Sequence, residues 1–206
     1  IDNFAKPIKK QKTVVAPKAL TEKEINSLLQ FAGSSKKSIK DRNYALIQLM
    51  VNTGLRVGEV VALDYGHLEI NERSGSLYIY NGKGHKERRV LVNAKCRAAL
   101  GWYFDYRNKA EQWNPKSGDP VFVSERKERM SIRAVQHTIK SLANQARITR
   151  LQVTPHVLRH TFATNYYHET KDIIGLSNLM GHNSLDTTSI YSLQSEEQMM
   201  MGLDKI

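Results

Sequence analysis

The sequence predicts an α+β domain, mainly helical with one small antiparallel sheet. Apolar residues recur at three- and four-residue spacing along most of the chain, and between 68 and 92 the period shortens to about two. Glycines at 33, 54 and 181 stand where helical patterns stop. At 206 residues with 40% apolar and 25% charged side chains, the chain can bury one full core.

Residues 1–18 carry Lys6, Lys9, Lys10, Lys12 and Lys18 against Asp2 alone, with Pro7 and Pro17 and little periodicity. That reads as a basic interdomain linker or arm, or as a disordered tail. The chain starts at Ile1, not Met, so the expectation is a piece of a longer protein. Thr21 and Glu24 have the spacing of a capping box, opening a helix through Ile25, Leu28, Leu29 and Ala32 to Gly33. A second helix spans 41 to 52, with Tyr44, Ile47, Leu49, Met50 and Val51 on its buried side and Gly54 as its stop. The stretch "SLYIYNGKGHKERRVLV" predicts strands at 77 to 80 and 88 to 92 around a glycine-rich turn. Helical patterns resume at 95 to 112, 131 to 145, 157 to 169 and 171 to 180, and a last stretch runs through Tyr191. No internal repeat interrupts them.

The balance of 31 Lys and Arg against 20 Asp and Glu gives +11, with a pI near 9.7, which favours a nucleic-acid partner. No run of about 18 apolar residues occurs and the first residues lack an apolar signal core, so neither a membrane span nor secretion is expected. A cytoplasmic protein is the simplest expectation. The single cysteine, Cys96, excludes an internal disulfide and a cysteine metal cluster.

Chemistry concentrates in "TPHVLRH". Thr154 and Pro155 suit the N-cap and first position of a helix, placing His156 and Arg159 three apart on one face of its first turns. A helix start with an arginine and a histidine is a seat for a phosphate; a capped surface helix is the other reading. His182 follows Gly181, and Tyr191, nine residues on, offers a phenol whose ordinary pKa near 10 makes it a weak nucleophile without help. Alone, that tyrosine reads equally as a core or surface residue. In "TGLRVGE", Arg56 follows a helix stop and stands three before Glu59, to which it could simply be paired. In "GKGHK", Lys83 lies between two glycines on the hairpin, as a solvated lysine or one brought close to another polymer.

Taken together, Arg56, Lys83, His156, Arg159, His182 and Tyr191 are cations, proton carriers and one phenol, without a carboxylate cluster of the kind that holds Mg²⁺. Side-chain cations can neutralise the equatorial oxygens of a phosphate instead. The set therefore points to phosphoryl transfer from DNA to a protein hydroxyl with no metal and no cofactor.

The series "ALTEKEINSLL", "TGLRVGEVVAL", "GKGHKERRV", "TPHVLRHTFAT" and "LMGHNSLDTTSIY", in that order, resembles the catalytic domain of tyrosine recombinases of the integrase and Xer-like group, from about Lys18 to Tyr191. The resemblance implies that fold, with a catalytic domain over 19–191 and a tail over 192–206 that docks on its own domain or on a neighbouring protomer. It implies a site-specific recombinase acting on double-stranded DNA as a homotetramer on paired sites, in integration, excision or resolution, with accessory proteins unspecified. Tyr191 would form a 3′-phosphotyrosine and free a 5′-hydroxyl without metal or ATP. Arg56 and Arg159 would hold non-bridging oxygens, His156 and His182 would stabilise charge and move protons, and Lys83 would protonate the leaving oxygen. Glu59 would orient its neighbours, and His160 would support from behind. Family members carry a second helical domain upstream, of which this chain has only the basic linker. A type IB topoisomerase and a non-catalytic DNA-binding regulator of the same fold are the competing readings.

Overall fold

The computed structural model describes residues 19–36, 39–80 and 87–181. Along these segments lie α1 (Glu22–Gly33), α2 (Lys40–Thr53), the short α3 (Val57–Val61), a 3₁₀ turn (Tyr65–His67), β1 (Leu68–Ile70), β2 (Gly75–Tyr80), β3 (Glu87–Leu91), α4 (Ala94–Glu111), α5 (Ile132–Gln145), α6 (Pro155–Thr170) and α7 (Ile173–Met180). The mainly helical α+β class is the one the periodicities predicted. Helix boundaries agree to within two residues, because each end carries its own signal. Thr21 accepts the Glu24 N–H while the Glu24 carboxylate accepts the Thr21 N–H, and Ser131, Thr154 and Asp172 cap α5, α6 and α7.

Helix α2 runs through the middle of the molecule, packed by α1, α4 and α6. Ala45, Leu46, Ile47, Leu49 and Met50 are completely buried, so α2 hides more than the single stripe a surface helix would. Each large apolar side chain removed from water this way contributes roughly 1.5–3 kcal/mol. Leu28 and Ala32 of α1, Leu100 of α4, Val135 and Ile139 of α5 and Leu158 of α6 complete the same core. A smaller cluster of Phe162, Ala163, Leu176 and Met180 joins α6 to α7.

The sheet has the order β1-β2-β3, antiparallel throughout, with Leu68 opposite Leu77 and Leu77 opposite Val90. Leu77, Ile79 and Val90 face the core. Strand β1 escaped the sequence reading because three residues are too few to display an alternation. The turn between β2 and β3 lies outside the described residues.

Two buried arginines hold the long connection after α4. Arg107 donates to the Pro120 carbonyl at 3.1 Å and sits 3.7 Å over the Trp113 ring, while Arg42 donates to the Val123 carbonyl at 3.0 Å and to Asn43 Oδ1. Among the described residues no helix is long and apolar enough to cross a membrane.

Candidate functional site

The site begins where α2 stops. Gly54 ends that helix in the left-handed region at φ 63, and a Cβ there would collide with the Phe162 ring of α6. Glycine is required on both counts. Two residues later Arg56 opens α3, its backbone N–H donating to Glu59 Oε2 at 2.7 Å and its Nη1 lying 3.2 Å from Glu59 Oε1. The Arg56 side chain stays 44% exposed.

Helix α6 brings the second set. Thr154 accepts the Val157 N–H and Pro155 has none to give, which leaves His156 as the first-turn amide and makes the anion seat narrower than the sequence suggested. His156 is exposed, whereas Arg159, one turn on, is 6% exposed. Arg159 Nη1 donates to the Gly54 carbonyl and Nη2 to the Met180 carbonyl at 2.8 Å. Its plane is thereby fixed between α2 and α7. His160 is partly buried; that burial, then the charges of His156 and Arg159, hold its imidazole below the ordinary histidine value.

The third element is the C-terminus of α7. The last carbonyls of a helix lack intrahelical donors and carry the negative end of the dipole. Here three consecutive ones accept from three arginines of three different segments: Leu179 from Arg88 Nε at 3.3 Å, Met180 from Arg159, and Gly181 from Arg56 Nη2 at 3.5 Å. Arg88 of β3 also grips Glu59 with both ends of its fork, Nη1 to Oε1 and Nη2 to Oε2, each at 2.8 Å. Burial pushes the Glu59 carboxyl up, but the Arg88 hydrogen bonds, the Arg56 N–H and the two guanidinium charges together hold it below the carboxylate range.

Arg56, Val57, Gly58, Glu59, Pro155, His156 and Arg159 line one cleft of about 410 Å³. Four of the residues singled out from sequence, Arg56, Glu59, His156 and Arg159, are therefore brought together although they come from positions 56 to 159. His160 lies behind them on α6. Lys83, His182 and Tyr191 lie outside the described residues. With guanidinium groups and an imidazole around a single well-compensated carboxylate, the cleft suits an anion. Among the described residues no group of three or more His, Cys, Asp or Glu is placed to hold a metal ion. A larger groove between α1, α2 and α4, lined by Ile25, Leu29, Tyr44 and Trp102 among others, contains none of the candidate residues.

Sequence reasoning missed Arg88. A signal existed: in β3 it stands two before Val90, so the strand period puts it on the core-facing side, where a charge needs a partner.

Comparison with known proteins gives the following. The model of the phage integrase family matches residues 18–198. The tyrosine recombinase XerD of Haemophilus ducreyi is 35% identical over 185 residues, which cover 90% of this chain and 61% of that protein. The crystal structure of XerA recombinase superposes with a TM-score of 0.76 at 32% identity, over 93% of this chain and 65% of that one. A structure of the XerH site-specific recombinase bound to palindromic difH substrate superposes with a TM-score of 0.77 at 24% identity, over 92% of this chain and 53% of that one. The chain thus spans less than two thirds of the length of each of these three proteins.

Proposed function

The chain belongs to the phage integrase family, and we propose that it is the catalytic portion of a site-specific DNA recombinase that cuts and rejoins strands through a tyrosine. The observation that carries this reading is the shared cleft, where Arg56, His156 and Arg159 surround a space and, among the described residues, no cluster of carboxylates stands beside them. A scissile phosphate placed there would meet the half-exposed guanidinium of Arg56 and the guanidinium of Arg159, both of which line the cleft. Because Arg159 is already held by two carbonyls, it needs no reorganisation as charge develops on the phosphate oxygens.

In this reading the Tyr191 oxygen forms a bond to phosphorus as the bond from phosphorus to the 5′-oxygen breaks. The phenol proton passes to a base, for which His156 and His182 are the candidates, and the leaving oxygen takes a proton from Lys83. The product is a 3′-phosphotyrosine and a 5′-hydroxyl, and reversal onto another strand rejoins the DNA. Neither ATP nor a metal enters the balance. Double-stranded DNA is the substrate, four protomers on two paired sites are the working assembly, and 19–191 is the catalytic unit. The net charge of +11 supports the choice of polyanion.

The test incubates the chain with a pool of nicked suicide duplexes of randomised sequence, in which the cut 5′ fragment diffuses away. A protein–DNA adduct that survives denaturing gels is expected, with and without EDTA, and Tyr191→Phe should lose it while still retarding DNA. Adduct formation only with added Mg²⁺ would defeat the scheme. Relaxation of supercoiled plasmid without strand exchange between two sites would favour a topoisomerase instead.

A further inference from the structure

Arg88 is tied to two separate elements although it does not line the cleft. Its guanidinium meets both Glu59 oxygens at 2.8 Å, its Nε reaches the Leu179 carbonyl at 3.3 Å, and its side chain is 13% exposed. It also fills the space under Gly181: a Cβ on that glycine would stand 3.1 Å from the Arg88 Cζ and Nη1. Its Nε and both Nη atoms are thus each engaged.

The segments it joins are the ones that bear the candidate catalytic groups. Glu59 is hydrogen-bonded to the backbone and side chain of Arg56, Leu179 and Gly181 immediately precede His182, and β3 follows the turn that carries Lys83. One side chain ties α3, β3 and the end of α7 to one another. Buried ion pairs add little to stability compared with apolar replacements, so stability alone gives a poor account of a charge pair kept here. A fixed geometry does, since an angstrom of misplacement can cost on the order of 10²-fold in rate.

We propose that Arg88 is a positioning residue for strand cleavage, acting through Glu59 and the α7 carboxyl end to set Arg56 and the flanking segments in register. This rests on the recombinase reading above. Glu59 is faced by Arg56 from its own turn and by Arg88 from β3, with His156 and Arg159 of α6 across the cleft. Removing Arg88 leaves a buried carboxyl with one cation fewer, which takes up a proton more readily and then releases Arg56.

The experiment measures the rate of adduct formation on the nicked duplex pool against pH for the unmodified chain, Arg88→Lys, Arg88→Gln, Glu59→Gln and the Arg88→Gln/Glu59→Gln pair. Urea unfolding and DNA retardation are followed alongside. Lysine keeps the charge but not the fork, so Arg88→Lys should slow cleavage on the order of 10²-fold with DNA retardation unchanged. Arg88→Gln should gain a rise in rate with pH that the unmodified chain lacks. Adding Glu59→Gln should remove that rise and slow the reaction no further. Equal rates in the unmodified chain and both Arg88 variants, or independent effects of Arg88→Gln and Glu59→Gln, would overturn the proposal. Should Arg88→Gln fail to unfold cooperatively, Arg88→Lys alone decides. No adduct from the unmodified chain would overturn the recombinase reading itself, and this proposal with it.

Discussion

Arg159 and Gly54 are 105 positions apart in the chain, yet the arginine's Nη1 donates directly to the glycine's carbonyl. The stop of α2 and the start of α6 are thereby one piece of structure. Gly54 is under three constraints at once: its left-handed φ of 63, the Phe162 ring where a Cβ would go, and the carbonyl that Arg159 uses.

Gly54→Ala should therefore damage both fold and site. Left-handed backbone on alanine costs about 1–2 kcal/mol, and forcing a methyl against Phe162 adds about 1–3 kcal/mol. Urea unfolding should show a lowered midpoint with an unchanged slope. Adduct formation should fall under conditions where the variant is still fully folded.

Arg159→Lys retains the charge and loses the span. A single ammonium cannot serve the Gly54 and Met180 carbonyls and a phosphate together. Cleavage should drop on the order of 10²- to 10³-fold, while DNA retardation at low salt stays near that of the unmodified chain.

Glu59 has a carboxyl held below its ordinary value of 4.5, because the Arg88 and Arg56 contacts outweigh its burial. The folded state thus binds a proton less readily than the unfolded one, and the stabilisation is fully present above about pH 4.5. It is lost as pH falls through the lowered folded value. Unfolding measured from pH 6 down to 3 should show this acid limb, and Glu59→Gln should make it shallower, leaving the part that Glu24 and Asp119, whose carboxyls are also held down, contribute.

His160 behaves in the same sense at higher pH. Burial first, and then the charges of His156 and Arg159, hold its imidazole below 6.5. The unfolded chain takes up a proton near pH 6.5 that the folded chain refuses, so stability falls as pH drops from there to the folded value. His160→Asn should remove that slope; a slope that persists would assign it to another group.

Much of this was legible in the sequence because it is written in local chemistry. Thr21, Glu24, Gly54, Thr154, Pro155 and Gly181 each fix a helix end through a contact made within a few residues. Arg56, His156 and Arg159 stand out because their types suit a phosphate, and Glu59 because it stands three after Arg56 and matches an acidic position in the family resemblance; the fold brings the four to one cleft. Three features were less legible. Strand β1 exists through its pairing with β2, and three residues do not announce a period. Arg88 stands between Glu87 and Arg89, where charge alone says surface; the strand period turns it inward, but its partner lies 29 positions upstream. The convergence of three arginines on the carbonyls of Leu179, Met180 and Gly181 is likewise a tertiary fact, since no side chain at those positions is involved.

The central claim is that these groups serve a tyrosine nucleophile at a DNA phosphate. The most direct measurement is to digest the trapped adduct with protease and nuclease and sequence the nucleotide-bearing peptide by mass spectrometry. The account predicts one modified residue, Tyr191, joined to a 3′-phosphate, with the released strand ending in a 5′-hydroxyl. A nucleotide on any other side chain, or a 5′-linked one, would contradict it.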